Sequence, residues 1–175
     1  MTMLSGKAVQ NGLSIRRAKQ DDVPRVQAII NASYSKYINR IGKPPAPMLA
    51  DYAKLLETRD VFILEAASED EGGGEPAVKM VGSIMLGVTA EGDAVTVNNL
   101  VVEPAAQGRG YGRVLMDFAE EFARGKSLSS VFLFTNVKMH ENIGLYLKLG
   151  YVETGRRTED GYERVYFRKQ LERLN

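Results

Sequence analysis

The chain has no cysteine and one histidine, His140, among its 175 residues. Without cysteine there is no disulfide, no thiolate nucleophile and no cysteine-ligated metal, and a single imidazole cannot build a multi-histidine metal site. A bulk field is missing too: 23 basic residues against 22 acidic ones give 23 − 22 = +1, so overall charge points neither to nucleic acid nor to an anionic membrane. Long apolar runs are also lacking. Met1 to Gly12 has no signal-peptide core, and no later stretch is apolar for long enough to cross a bilayer. These absences set the expectation of a soluble, cytoplasmic protein with no metal, membrane or nucleic-acid partner. With 44% apolar residues the length suffices for one core and is short for two, so one domain over 1–175 is expected, residues 1–12 forming a flexible N-terminal segment.

What the chain does contain is glycine concentrated in one place. Gln107-Gly108-Arg109-Gly110-Tyr111-Gly112 joins the end of an apolar strand to the start of an amphipathic helix. Glycines there remove side chains that would keep a ligand from the backbone, and the first amides of a helix are unpaired donors suited to an anion.

Around that segment the pattern reads as alternating strands and helices. Leu13 to Arg16 alternates as a strand, and Asp21-Asp22-Val23-Pro24 supplies a helix cap with proline in the first turn, ahead of Val23, Val26, Ile29 and Ile30 on one face. Tyr34 to Pro47 reads as a loop able to shape a pocket, Met48 to Thr58 as a helix, Val61 to Ala66 as a strand, and Ser68 to Pro76 as a mobile hairpin tip. Lys79–Val88 and Ala94–Val102 read as antiparallel strands, with Asn98-Asn99 marking a bulge or splayed edge in the second. Tyr111, Val114, Leu115, Phe118, Ala119 and Phe122 keep the spacing of a buried helix stripe ending near Gly125. Ser130 to Phe134 is a nearly all-apolar strand, expected to be covered on both faces. Then follow a helix from Glu141 to Leu149, with Ile143, Tyr146 and Leu147 toward the core, and a hairpin of Tyr151–Arg157 and Tyr162–Arg168.

Two nucleotide-binding readings fail on context. A dinucleotide fingerprint belongs in the first strand-helix unit with an acidic residue about 20 positions on, whereas this one lies past mid-chain and Ser127 to Ser130 stand at that distance. A P-loop needs Gly-Lys-Ser/Thr, and Gly110 is followed by Tyr111-Gly112-Arg113.

The segment resembles instead the motif Gln/Arg-x-x-Gly-x-Gly/Ala of the GNAT superfamily of N-acetyltransferases. Leu100-Val101-Val102-Glu103-Pro104 ahead of it looks like the family's fourth strand and the turn leaving it, and Leu145-Tyr146-Leu147-Lys148-Leu149-Gly150-Tyr151 like its second motif. The element order also fits over nearly the whole chain. The resemblance implies an α/β fold, a central twisted, mixed and mostly antiparallel sheet of six to seven strands flanked by about four helices. It implies acetyl-CoA as co-substrate and direct acetyl transfer to an amine, with no covalent enzyme intermediate.

By the same resemblance Gly108, Arg109, Gly110, Tyr111, Gly112 and Arg113 cradle the coenzyme pyrophosphate, Gln107 braces the loop, and the backbone of Leu100, Val101 and Val102 pairs with the pantetheine arm. Tyr146 matches the general acid that protonates the departing thiolate, although its position on an apolar helix face also reads as plain core. The family asparagine seven residues before that tyrosine is replaced here by Met139, so the coenzyme contact passes to Asn142, one turn from Tyr146, with Asn136 a further candidate. The glutamate base of some members falls on Thr96, which leaves the base unassigned among water relayed by Asn99 or Tyr37, and His140. Acceptor choice falls to Ser33–Pro47 and Gly155–Arg164, where Glu159, Asp160 and Glu163 suit a cation and Arg156, Arg157 and Arg164 suit an anion. The family also implies dimerisation through the C-terminal strands. A rival reading keeps the fold and the coenzyme but not the chemistry: an acyl-CoA sensor or protein-interaction module.

Overall fold

The computed structural model describes residues 12–68 and 77–172. The expected flexible N-terminal segment and the hairpin tip, Gly12 and Ser68 apart, lie outside the described residues. Seven strands, β1 (Leu13–Arg17), β2 (Asp60–Ala67), β3 (Val78–Val88), β4 (Val95–Val102), β5 (Ser130–Asn136), β6 (Val152–Glu159) and β7 (Tyr162–Gln170), form one sheet in the order β1-β2-β3-β4-β5-β7-β6. Every neighbouring pair is antiparallel except β4 and β5. A parallel pair needs a long crossover, and the glycine segment with its helix supplies it.

The helices are α1 (Val23–Tyr34), the single turn α2 (Ile38–Ile41), α3 (Tyr52–Thr58), α4 (Tyr111–Gly125) and α5 (His140–Lys148). They divide the core between the two sheet faces. On one face Leu115, Met116, Phe118, Ala119, Phe122 and Ala123 of α4 pack with Leu64, Ile84, Val95 and Leu133, and Phe62 meets the Phe118 ring edge-on at 4.7 Å. Burial of each large side chain here contributes about 1.5–3 kcal/mol. On the other face Val26, Ile29, Ile30 and Tyr34 of α1 pack with Tyr52, Ile63, Met85 and Val101.

β4 belongs to both faces because of one extra residue. Its pairing with β3 runs Met85↔Asn99 and then Leu86↔Val97, leaving Asn98 as a bulge. A bulge inverts side-chain parity. Val95 and Val97 therefore join the α4 core, whereas Asn99 and Val101 turn toward α1 and α3, and the polar Asn99 becomes buried.

Four local expectations need correction. Asp22 stands at the α1 N-cap, yet its carboxylate takes Arg16 Nη1 and Nη2 at 2.8 and 2.9 Å and the Lys19 amide at 2.7 Å, all outside the helix. The helix expected from Met48 begins at Tyr52, because Asp51 caps it by accepting from the Lys54 amide and the preceding residues 46–49 wind as a 3₁₀ turn. The segment after Tyr34 is helical as far as Ile41, where Gly42 stops it at φ 87°. On α5, Leu147 is 54% exposed and does not share the core face of Ile143 and Tyr146.

β5 is covered by helix on one face only. Val131 and Leu133 lie in the α4 core, while Phe132 and Phe134 on the opposite face stack on Tyr166 and are topped by Arg168 and Arg164. Phe134 remains 39% exposed.

Candidate active site

The site starts where β4 and β5 part. They pair through Val95↔Val131, Thr96↔Phe132 and Val97↔Leu133 and no further, although β4 stays paired to β3 as far as Val102 and β5 to β7 as far as Asn136. A wedge opens between two intact strands. The Glu103 amide donates to Val81 O at 2.8 Å, which sets the alternation: Val101 and Glu103 spend their backbone groups on β3, and Leu100 and Val102 turn theirs to the wedge. Of the three residues expected to offer backbone there, Val101 packs its side chain in the α1-side core while still bordering the space beside β4.

Side chains steady that edge. Leu100 O accepts from Tyr34 Oη at 3.2 Å, and Val102 O accepts from Ser33 Oγ at 2.9 Å and Gln107 Nε2 at 3.1 Å. Gln107 therefore braces the glycine segment against the strand it leaves. In the sequence Ser33 stands out only as the first residue of the acceptor segment Ser33–Pro47, without a role on β4.

Across the wedge lies the α4 N-terminus. Gly108 and Gly110 hold φ of 82° and 83°, a region that a side chain with Cβ disfavours. Gly110 is the N-cap without any side-chain cap, and the first bond of the helix is Val114 N to Gly110 O at 3.1 Å. The preceding amides have no intrahelical acceptor and carry the positive end of the helix dipole. Gly112 follows at the cleft wall, where a Cβ would come within 3.4 Å of Leu145 Cδ2 of α5.

These parts surround an open cleft of about 1040 Å³, whose walls include Leu100, Val101, Val102, Gln107, Gly108, Gly110, Tyr111, Gly112, Arg113 and Asn142. Arg109 is not among them; between two left-handed glycines it is exposed. An extended ligand with a phosphate end fits this donor set, main-chain groups along β4 leading to free amides at α4.

A second, smaller cavity adjoins the cleft, sharing Tyr34, Leu100 and Asn142 with it. Tyr146, Asn98, Asn99 and Asn136 line it. Tyr146 packs against Tyr151 and Phe167, and burial raises its phenol well above the ordinary tyrosine range, with Tyr37 adding to the shift. It stays protonated at any ordinary pH. Asn142 Nδ2 lies 3.7 Å from Met139 Sδ, the residue standing in the family asparagine's place, and Met139 is buried behind it.

A buried chain of hydrogen bonds supports the inner cavity, and the sequence offered no signal for its far end. Tyr34 Oη donates to Asn99 Oδ1 at 2.8 Å, Asn99 Nδ2 donates to Tyr52 Oη at 3.0 Å, and Tyr52 Oη donates to Pro47 O at 3.1 Å. The candidates for a base fare differently. Tyr37 lines the outer cleft rather than the inner cavity, and burial followed by the Glu141 charge pushes its phenol up to about 12. His140 is exposed at the start of α5 and lines neither space. Asn99 does line the inner cavity. Glu141 is held down to about 2, first by its hydrogen bonds from Arg40, which donates through both Nη atoms at 2.9 Å.

Among the described residues no group of three or more histidine, aspartate or glutamate side chains is placed to hold a metal. No described helix is long and apolar enough to cross a membrane.

A seven-stranded mixed sheet with one splayed parallel junction, flanked by four helices of two turns or more and bearing a main-chain anion cradle, defines the class. Residues 24–151 match the Acetyltransferase (GNAT) family, and the chain belongs to it. A relative described as IAA acetyltransferase, from Azospirillum brasilense, is 34% identical over 76 residues, 43% of this chain and 50% of the relative. The match spans about half that relative's length. The crystal structure of the ribosomal-protein-S18-alanine N-acetyltransferase from Escherichia coli superposes with a TM-score of 0.66 at 20% identity, over 93% of this chain and 96% of that one. The IAA acetyltransferase from Bacillus cereus does so with 0.62 at 17% identity, over 91% and 99%. At such identities the two structures speak for the fold alone.

Proposed function

We propose that the protein transfers an acetyl group from acetyl-CoA directly to a primary amine. The observation that carries this reading is the adjacency of the two spaces: a main-chain cleft beside the free α4 amides shares Tyr34, Leu100 and Asn142 with a side-chain cavity lined by Tyr146. Family membership makes an acetyltransferase the natural occupant of that geometry.

Acetyl-CoA supplies the activated acyl group; the residues supply position and charge. Amides of the α4 N-terminus take the pyrophosphate, with Arg113 at the cleft wall, and the outward backbone of Leu100 and Val102 takes the pantetheine arm. An N–H on this edge is also placed to stabilise negative charge growing on the thioester oxygen. The amine lone pair forms the new C–N bond at the carbonyl carbon, the C–S bond breaks, and its electron pair leaves with sulfur. Tyr146 gives that sulfur a proton and regains one from solvent. The amine's own proton goes to water, since among the described residues no carboxylate or imidazole lines the inner cavity. That same lack favours the rival reading of a non-catalytic acyl-CoA sensor.

Thermal melting tests the coenzyme half. At 100 times its dissociation constant acetyl-CoA stabilises the fold by about 2.7 kcal/mol, and free-thiol release with an amine acceptor then separates enzyme from sensor. No melting shift with acetyl-CoA or CoA sinks both readings.

A further inference from the structure

We propose that the acceptor is a small amine that also bears a carboxylate, and that Arg164 receives this carboxylate. The inference rests on the acetyl-transfer reading above and names the substrate class of the inner cavity.

The charges of the last hairpin nearly cancel in composition but not in space. Among the described residues Arg164 is the single charged side chain lining the inner cavity, and no carboxylate is in that lining. Glu159 and Asp160 lie outside that lining, and Glu163 faces an outer pocket together with Arg156 and Arg157, a pocket that Arg164 borders from its other side. Arg164 is a built feature of the wall: its side chain is 12% exposed, and its guanidinium lies 4.4 Å from the centre of the Phe134 ring.

Its pairing leaves capacity for a ligand. Nη1 bonds Glu159 at 3.0 Å, but Glu159 is shared with Arg157 at 3.6 Å, so one carboxylate serves two guanidiniums. Asp160 stands 3.8 Å away and is 85% exposed, where water screens it. A guanidinium has five donors in a planar fork that matches a carboxylate, and the Glu159 bond occupies one. A second cation stands beside Tyr162 of the lining. Lys43 Nζ lies 3.9 Å from the centre of the Tyr162 ring, and Tyr162 Oη donates to Pro44 O at 2.6 Å, tying residues 43–47 to the hairpin.

A polyamine entering this space would bring its distal charge toward Arg164 with no carboxylate among the described lining residues, so that its desolvation is offset only by the tyrosine rings. An amine with a carboxylate places its anion on the fork and its nitrogen toward Tyr146. The remaining wall suits an uncharged body: Leu100, Phe134 and Met139 are apolar, and Asn98 and Asn136 offer neutral amides. The transfer itself is the one balanced above: one C–N bond formed, one C–S bond broken, one proton lost from nitrogen and one gained by sulfur.

The test is thiol release from acetyl-CoA with matched pairs of amino acids and their carboxamides, leucine and leucinamide, glutamine and glutaminamide, and with spermidine. Each carboxamide has the less basic amine and therefore more free amine at neutral pH, so a preference for the acid runs against the supply of unprotonated nucleophile. We expect the acid of at least one pair to exceed its amide by tenfold or more in kcat/KM and to exceed spermidine likewise. Arg164→Gln should bring that ratio below threefold, mainly through KM, and Arg164→Lys should hold most of it. Faster turnover of the amides or of spermidine overturns the inference, as does a ratio unmoved in Arg164→Gln that melts like the wild type. Should Arg164→Gln fail to fold, the acid-to-amide ratio of the wild type decides alone. Coenzyme binding without turnover of any acid also overturns it. Absence of an acetyl-CoA melting shift fails the parent reading instead.

Discussion

The outer cleft and the inner cavity meet at Asn142 and Leu100, yet they are made of different material. The cleft is built from main chain: the α4 amides behind Gly108 and Gly110, and the β4 groups of Leu100 and Val102 freed by the wedge. The cavity is built from side chains held by other side chains, Tyr34 on Asn99, Asn99 on Tyr52, and Arg164 on Phe134 and Glu159. A main-chain site can be kept while surrounding side chains change, because its donors are the same in every residue. A side-chain site changes chemistry with each substitution. The division suits a catalyst whose donor is fixed and whose acceptor is particular.

The largest effect is expected at the junction. Tyr146→Phe removes the proton donor without changing the ring that packs on Tyr151 and Phe167. General-acid contributions of about 10²–10⁴ set the scale, and a fall of about 100-fold in kcat is expected with coenzyme affinity within twofold. The pH profile sharpens the same point. Burial raises this phenol, donation needs its protonated form, and so the raised value extends the active range upward. With chemistry rate-limiting, the wild type should show a rate rising with pH as the acceptor amine is freed, and no descending limb up to about pH 9.5, just under the ordinary tyrosine value near 10. A limb below that, or unchanged kcat in Tyr146→Phe, would remove Tyr146 as the acid.

An intermediate effect belongs to the side-chain region. Asn99→Leu deletes both links of the Tyr34–Asn99–Tyr52 chain, while the two phenols keep Leu100 O and Pro47 O as acceptors. The loss is then about 1–2 kcal/mol for two net hydrogen bonds, or about 2–8 °C in Tm for a chain of this size. Because the chain ends on Pro47 of the cavity wall, KM for the acceptor should rise more than the dissociation constant of acetyl-CoA. Equal loosening of both would mean that the two regions are not separable.

The same contrast explains what was legible before the fold was known. Gly108 and Gly110 announce a backbone requirement, and the stripe from Leu115 to Phe122 announces a buried helix; both are local properties of a few consecutive residues. Asn98-Asn99 announced a break in β4, and the bulge is there. Its consequence, a parity change that buries Asn99 beside Tyr34 and Tyr52, needs the partner elements and could not be read locally. Arg164 and Glu163 are neighbours in sequence with equal formal claims on the acceptor. Only the register Asn136↔Arg164, with Glu163 paired to Thr158 on β6, puts the arginine on the cavity wall. Leu147 failed for a related reason: a face wide enough for Ile143 and Tyr146 on a nine-residue helix does not extend to the next residue round.

The smallest expected effect separates charge from conformation in the main-chain region. Gly110 sits at φ 83° with nothing within 4 Å of where a Cβ would stand, so the obstacle to a side chain is backbone strain rather than space. Asparagine and aspartate both tolerate left-handed backbone better than other residues with a Cβ, and they are nearly isosteric. Gly110→Asn therefore carries the conformational cost, and Gly110→Asp carries the same cost plus a carboxylate beside the amides assigned to the pyrophosphate. One like-charge contact near 4 Å in water costs about 1 kcal/mol. The Asp variant should accordingly bind acetyl-CoA about five- to tenfold more weakly than the Asn variant in calorimetry, with the gap narrowing as salt is raised and screening shortens. Leucine turnover at saturating coenzyme should then match between the two. If Asp and Asn bind alike at low salt, the phosphate end of the ligand lies elsewhere, and the comparison between a main-chain donor site and a side-chain acceptor site loses its first member.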